Sequence, residues 1–245
     1  MYGEAGDAKT AYTQTRGGYT AANCSPASMN IIHVSNYNSI GYFDNNYSSI
    51  DGNTIYILES GAHITQSEIG IYNSCSAIVG KPNTNIYSNT KITSLYHVQG
   101  QFGILDGIDI DGYRNGHGGY HGNKNDYGIY FQYANTNTVN NMSIHDQGIN
   151  NGRGIGIESA YYTTINNSQI FDNGGNGIDI AQNSAYNIIN NTKLYNNLYN
   201  GMSIQSDAQY NAINNSQSFR NGVGIFFQGQ NTAYNIINNT QIYSN

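Results

Sequence analysis

Acidic side chains recur at one phase of a short repeated motif, and the first chemistry they offer is that of paired carboxylates. The motif is Gly-Ile-x-Ile or a close variant. It reads Gly107-Ile108-Asp109-Ile110, Gly128-Ile129-Tyr130-Phe131, Gly154-Ile155-Gly156-Ile157, Gly177-Ile178-Asp179-Ile180, Gly201-Met202-Ser203-Ile204 and Gly224-Ile225-Phe226-Phe227. Its third position therefore holds Asp109, Tyr130, Gly156, Asp179, Ser203 and Phe226, and two residues on stand Asp111, Gln132, Glu158, Ala181, Gln205 and Gln228. Apolar residues two apart are a β period with one face buried, so both polar series project from the other face. If successive motifs stack as strands about 4.8 Å apart, Glu158 and Asp179 fall within roughly 10 Å of each other. Carboxylates about 5 to 9.5 Å apart serve as acid and base, or as acid and nucleophile, on a glycosidic bond. Asp109 with Asp111 is alternatively a pair of oxygen ligands for Ca²⁺. The bland alternative is an ordinary solvated face. Tyr130, Gln132, Gln205 and Phe226 on the same face are candidate sugar contacts.

Residues 111–127 break the repeat and gather Tyr113, Arg114, His117, Tyr120, His121, Lys124 and Asp126 among glycines. Functional groups concentrate on loops carried by rigid scaffolds. Abstraction of a proton beside a carboxylate needs a cation to neutralise that carboxylate and a base. Arg114 or Lys124 is the candidate cation, with His121 or Tyr120 as base and Tyr113 and Tyr120 as glycan contacts. His117 and His121 are four apart, which means a metal pair only on a helix, and the glycines forbid one. A decorative corner loop is the alternative.

The elements that hold these groups follow from an exact period. Ile165-Asn166-Asn167, Ile189-Asn190-Asn191, Ile213-Asn214-Asn215 and Ile237-Asn238-Asn239 are each 24 residues apart, with Tyr162, Tyr186, Tyr210 and Tyr234 three positions before each isoleucine. Repeats of this length mark a solenoid whose units bury their apolar faces only against each other. Each unit holds the Gly-Ile-x-Ile strand, a second strand around 186–189 and a third around Lys193-Leu194, with Asn, Gly and Ser at corners of unusual backbone conformation. Three short strands per unit and no helical stretch describe an all-β, single-stranded parallel β-helix. Asn53 to Leu58, Ile69 to Tyr72 and Ser76 to Val79 read as earlier strands, giving seven or eight coils over 51–245. Residues 1–50 are irregular and are expected to form a cap or arm. The asparagine ladder is structural, its amides bonding from turn to turn. The tyrosine ladder forms a strip for sugar rings if it points outward; packing in the core or at a corner is the expectation.

Composition narrows the function. Nine Lys plus Arg against fifteen Asp plus Glu, a net charge of −6, leave no basic stripe for nucleic acid. No apolar run approaches the roughly 18 residues of a membrane span, and Met1-Tyr2-Gly3-Glu4 is no signal peptide. The chain stops partway through a coil, and open solenoid ends invite end-to-end association with another copy or with more of a longer protein. Cys24 and Cys75 either pair in an oxidising compartment or remain buried thiols.

The Asn-Asn-Ser/Thr-x-Ile/Leu units and Gly-Ile-x-Ile strands, over residues 51–245, resemble the right-handed parallel β-helix proteins of the pectin-lyase-like superfamily. The resemblance implies right-handed winding, an extracellular or cell-surface setting and association with polysaccharides. Its members range from pectate lyases, polygalacturonases and mannuronan epimerases to tailspikes and adhesins, and the fold does not choose among them. Of the polygalacturonase motifs only Gly116-His117-Gly118 matches, by chance; of the epimerase turn, Ile155-Gly156-Ile157-Glu158 retains at most the glutamate. Two functions follow as expectations. One is a module that binds glycan or serves as a structural or adhesive fibre element. The other is a lyase, hydrolase or epimerase acting on an acidic polysaccharide through Asp109, Asp111, Glu158 and Asp179 and the 111–127 loop.

Overall fold

The computed structural model describes residues 24, 28–35, 50–65, 68–88, 94–112, 126–148 and 151–245. Their strands wind into a β-solenoid of three parallel sheets, the parallel β-helix expected from the repeat. Sheet I runs Ile69–Ile71, Ser94–Val98, Tyr127–Gln132, Arg153–Glu158, Ile178–Ala181, Asn200–Gln205 and Val223–Gln228. Sheet II runs from Asn30–Val34 through Thr54–Leu58 to Ile236–Asn238, and sheet III from Gly61–Thr65 to Gln241–Tyr243. One turn visits the three in order, as in Ile178–Ala181, Ile188–Asn190 and Lys193–Tyr195. The first strand of sheet II lies within the segment expected as cap or arm. Among the described residues no helix is long and apolar enough to cross a membrane.

The register explains the core. Ile129, Ile155, Ile178 and Met202 stand beside one another in sheet I, as do Phe131, Ile157, Ile180 and Ile204, and all are essentially inaccessible to solvent. Each such side chain taken from water contributes about 1.5–3 kcal/mol. Buried asparagines run through the same interior. Asn187 accepts from the Thr163 amide (2.9 Å) and donates to Ala160 O (3.1 Å) and Asn211 Oδ1 (3.0 Å), and the pattern recurs in Asn173, Asn197 and Asn221. These ladders satisfy corner backbone groups that the coil would otherwise bury unpaired. The outer asparagine ladder also bonds from coil to coil, Asn190 to Asn166 at 2.9 Å and Asn191 to Asn167 at 2.6 Å.

The glycine of the sheet I motif is there for space, not for backbone freedom. A Cβ on Gly154 would strike the Ile170 side chain, and one on Gly177 would lie 2.6 Å from Gly201 O. The left-handed corners, expected to draw on Gly, Asn and Ser, use bulkier residues as well, including Tyr162 (φ 58°), Tyr186 (φ 59°), Asp172 and Arg220.

One register expectation fails. The strand Asp109–Asp111 belongs to sheet III, where it pairs with Thr84–Ser88 and with Ser143–His145. Asp109 and Asp111 therefore do not share a face with Glu158 and Asp179. Every strand of a β-helix buries alternate apolar residues, so Gly107-Ile108-Asp109-Ile110 imitates the sheet I motif while Gly107 itself turns a corner at φ +70°. The true sheet I neighbour of Tyr127–Gln132 is Ser94–Val98, in which Leu95 stands opposite Gly128.

Candidate functional site

The outer face of sheet I carries a continuous polar and aromatic network over its first five strands. The register sets Gly70, His97, Tyr130, Gly156, Asp179, Ser203 and Phe226 in one line. From Tyr130 onward this is the line of residues expected from the repeat, and Gln132, Glu158, Ala181 and Gln205 flank it as expected. Gly156 supplies a gap that the Tyr127 ring occupies, since a Cβ there would meet Tyr127 ring carbons and lie 3.1 Å from Tyr130 Cδ2. Tyr127 thus stacks on Tyr130, with ring centres 4.6 Å apart.

Glu158 is the hub. It accepts hydrogen bonds from the Tyr130 hydroxyl (2.6 Å), the Gln182 amide (3.0 Å) and, more loosely, the Tyr127 hydroxyl (3.4 Å). Gln132 donates to the Tyr130 oxygen at 3.0 Å and is itself met by Gln99 at 3.2 Å. Burial, then donation to Glu158 and the nearby carboxylate charge, raise the Tyr130 pKa far above the ordinary phenol value. Burial likewise pushes Tyr127 up to about 12, against the opposing pull of Arg153. Both hydroxyls are therefore protonated at neutral pH, and that of Tyr130 donates to Glu158.

Arg153 lies one coil beyond Tyr127. Its Nη1 donates to the Tyr127 hydroxyl at 2.5 Å, and its Nε faces Asp179 Oδ2 at 2.9 Å, an ionic approach more than an aligned hydrogen bond. Asp179 is nearly inaccessible and also accepts from Gln205 at 3.1 Å. Burial raises its pKa despite the Arg153 charge and the hydrogen bonds that favour the anion.

The N-terminal end of the face holds a carboxylate–imidazole pair. Glu68 Oε1 lies 2.8 Å from His97 Nδ1, and its Oε2 accepts from the Ser94 hydroxyl (2.6 Å) and amide (3.2 Å). Burial works to raise the Glu68 pKa, but the His97 and Ser94 hydrogen bonds outweigh it and hold the carboxyl below its usual value. The His97 ring packs between Tyr72 and Tyr130, at 5.4 and 5.2 Å.

Asp109 and Asp111 form a separate cluster on sheet III with His145 and Asp146. Asp111, His145 and Asp146 each offer a ligand atom within 4.8 Å of the others. However, His145 already spends both ring nitrogens, on Asp109 (3.0 Å) and Asp146 (2.8 Å). Burial opposes its charge, yet these carboxylates raise its pKa to about 9. An imidazolium so held supplies the positive charge itself, and a Ca²⁺ would have to displace it. A cation here would draw on Asp111, His145 and Asp146, and the His145 ring would have to release its proton and its carboxylate contacts to join them.

The other expected candidates divide clearly. Tyr113, Arg114, Tyr120, His121 and Lys124 lie outside the described residues. Tyr162, Tyr186, Tyr210 and Tyr234 sit at a corner, exposed, their rings stacked at 4.9–5.2 Å. Stacked on each other, they turn mainly edges to solvent and leave little free ring face for a sugar. Phe226 is exposed two coils beyond Asp179. Sequence reasoning missed Arg153, Tyr127, Glu68, His97 and His145. Arg153 had a signal, as a cation just before the motif glycine where later coils carry Asn176, Asn200 and Val223.

No family model matches the chain, and no curated protein matches it. Solved structures do. A pectate lyase superposes with a TM-score of 0.61 at 17% identity, over 93% of this chain and 63% of that one. The A-module of a mannuronan C-5 epimerase from Azotobacter vinelandii gives a TM-score of 0.57 at 14% identity, over 84% and 65%. A protein of Geobacillus virus E2 gives 0.53 at 15% identity, over 78% and 50%. The chain thus spans less than two thirds of the length of each, and the likeness is one of fold.

Proposed function

We propose that this protein is a carbohydrate-active enzyme that cleaves an acidic polysaccharide by elimination, on the outer face of sheet I. The observation that carries the reading is the uneven placement of chemistry along a regular solenoid. Among the described residues, Glu68, Tyr72, Tyr127, Tyr130 and Asp179, all with displaced pKa values, share the sheet I face, while smaller groups stand at Glu59 and His63 and at Asp109 and His145. The same lines carry Ser203 and Phe226 in later coils. A fibre or adhesive module has no need of such concentration, whereas an active site does. The solved structures of similar fold include a pectate lyase and a mannuronan C-5 epimerase, in keeping with this reading.

In the proposed reaction Arg153 faces the sugar carboxylate and offsets the charge that builds on it. Tyr130 donates its proton to the departing glycosidic oxygen. Glu158 orients that hydroxyl through its 2.6 Å hydrogen bond. Tyr127 holds the guanidinium in place and lines the floor. The Cys24–Cys75 disulfide suits an oxidising, extracellular setting.

The test is incubation with pectate, alginate and neutral glycans. The reading expects chain ends with ultraviolet-absorbing unsaturation from an acidic polymer, and a loss of roughly 10²–10⁴-fold in Glu158→Gln. Saturated reducing ends would mean hydrolysis, retardation of polymer without new ends would mean a binding module, and either result refutes elimination.

A further inference from the structure

An elimination needs a base as well as an acid, and a second group on the same face has the right construction. We propose that His97 is the base that removes the proton beside the sugar carboxylate, and that Glu68 is its positioning residue. The inference rests on the elimination reading and extends it to a residue in the preceding coil.

Three observations carry it. First, the imidazole is oriented chiefly through Nδ1, which faces Glu68 at 2.8 Å and the Tyr72 hydroxyl more loosely at 3.4 Å. Glu68 accepts at Nδ1, and the carboxylate is itself clamped by the Ser94 hydroxyl and amide, so the ring N–H is assigned to Nδ1. Among the described residues the Nε2 lone pair meets the Gln99 side-chain amide at 3.3 Å, a long and exposed contact that a substrate would displace. A ring with one nitrogen on a carboxylate and the other held only by a long amide contact is oriented for proton abstraction. Second, the ring is placed. His97 and Tyr130 are register partners on adjacent strands, with ring centres 5.2 Å apart, so base and acid flank a single glycosidic linkage. Third, the contrast with His145 is instructive: there both nitrogens are taken by carboxylates, which makes a fixed cation and no base.

The step balances. Nε2 of His97 takes the proton from the carbon bearing the carboxylate. The released electron pair forms a carbon–carbon double bond to the neighbouring ring carbon, whose bond to the glycosidic oxygen breaks. That oxygen leaves with the Tyr130 proton. His97 ends protonated and Tyr130 deprotonated beside Glu158, and water exchange restores both. No oxidant or further reactant enters.

The experiment compares wild type, His97→Ala, His97→Gln and Glu68→Gln on the acidic polymer that wild type cleaves, with thermal unfolding as a check on folding. His97→Ala is expected to lose roughly 10²–10⁴-fold in kcat and to regain part of it with added imidazole. Glu68→Gln is expected to lower kcat with little change in KM, and to shift the ¹⁵N signals of His97 from a single Nδ1–H tautomer to a mixture. Folded His97 variants that keep activity within a few-fold, or a loss that imidazole does not touch in both folded variants, overturn the assignment while leaving elimination intact. A wild type that produces no unsaturated ends from any acidic polymer overturns the elimination reading and the base with it.

Discussion

Removal of the Arg153 guanidinium gives the sharpest physical test of the sheet I face. Arg153→Met keeps the length of the stem and deletes the charge that faces Asp179 at 2.9 Å. The Asp179 side chain is only 5% exposed, against 24% for Arg153. Breaking a buried pair by removing one partner costs about 3–5 kcal/mol, because the other charge is left uncompensated. The lower end applies here, since Gln205 still donates to Asp179 and the arginine reaches solvent. About 3 kcal/mol corresponds to a fall in Tm of roughly 6–12 °C for a domain of this size. The sign with pH follows from the group. Burial already raises the Asp179 pKa, and loss of Arg153, which pulls it down, raises it further. An acid whose folded pKa exceeds its unfolded value costs stability when ionised, so the deficit is largest above the folded pKa and shrinks as pH falls through it. Thermal unfolding should therefore show its large deficit at about pH 8 and a smaller one at lower pH, as the pH falls toward the raised Asp179 pKa. Arg153→Met combined with Asp179→Asn should restore most of the loss. A Tm within about 2 °C of wild type at both pH values, or a deficit independent of pH, would refute the reasoning.

Three further outcomes are expected. The His145 pKa is raised above its unfolded value, to about 9, so it contributes stability that is full below about 6.5 and is lost as pH rises through about 9. Discounted for partial exposure, that contribution is about 2–3 kcal/mol, and His145→Phe, which preserves the stack on Phe171, should abolish the alkaline fall in urea-unfolding stability. Asn187→Ala leaves the buried Thr163 amide and Ala160 carbonyl without these partners, and should cost about 2–5 kcal/mol in the same assay. Gly156→Ala places a methyl against the Tyr127 ring and should depress turnover far more than Tm, with a change in the tyrosine near-ultraviolet dichroism.

What the sequence revealed and concealed follows from the geometry of a coil. The period of 24 residues and the Gly-Ile-x-Ile strands fix the architecture, because identical units can bury their apolar faces only by stacking in register. The line from Tyr130 through Asp179 to Phe226 was legible for the same reason. Asp109 was misplaced because apolar alternation is common to all three sheets, and only coil length tells them apart. That length changes where residues 111–127 interrupt the repeat. His97 and Glu68 were hidden by a related irregularity: the first two coils of the sheet have Glu68 and Leu95 where later coils have glycine, so the motif that marks the sheet is absent. The interior asparagines escaped notice because burial of a polar side chain is visible only once its corner partners are known.

The central claim is that the face between Glu68 and Asp179 moves a proton at the carbon beside a uronate carboxylate. Incubation of pectate and alginate with the protein in deuterated water, followed by NMR of polymer and products, tests it directly. The account predicts loss of the proton at that carbon, with unsaturated ends in wild type and neither change in Tyr130→Phe with His97→Ala. Retention of every such proton in wild type, on both polymers, would contradict it.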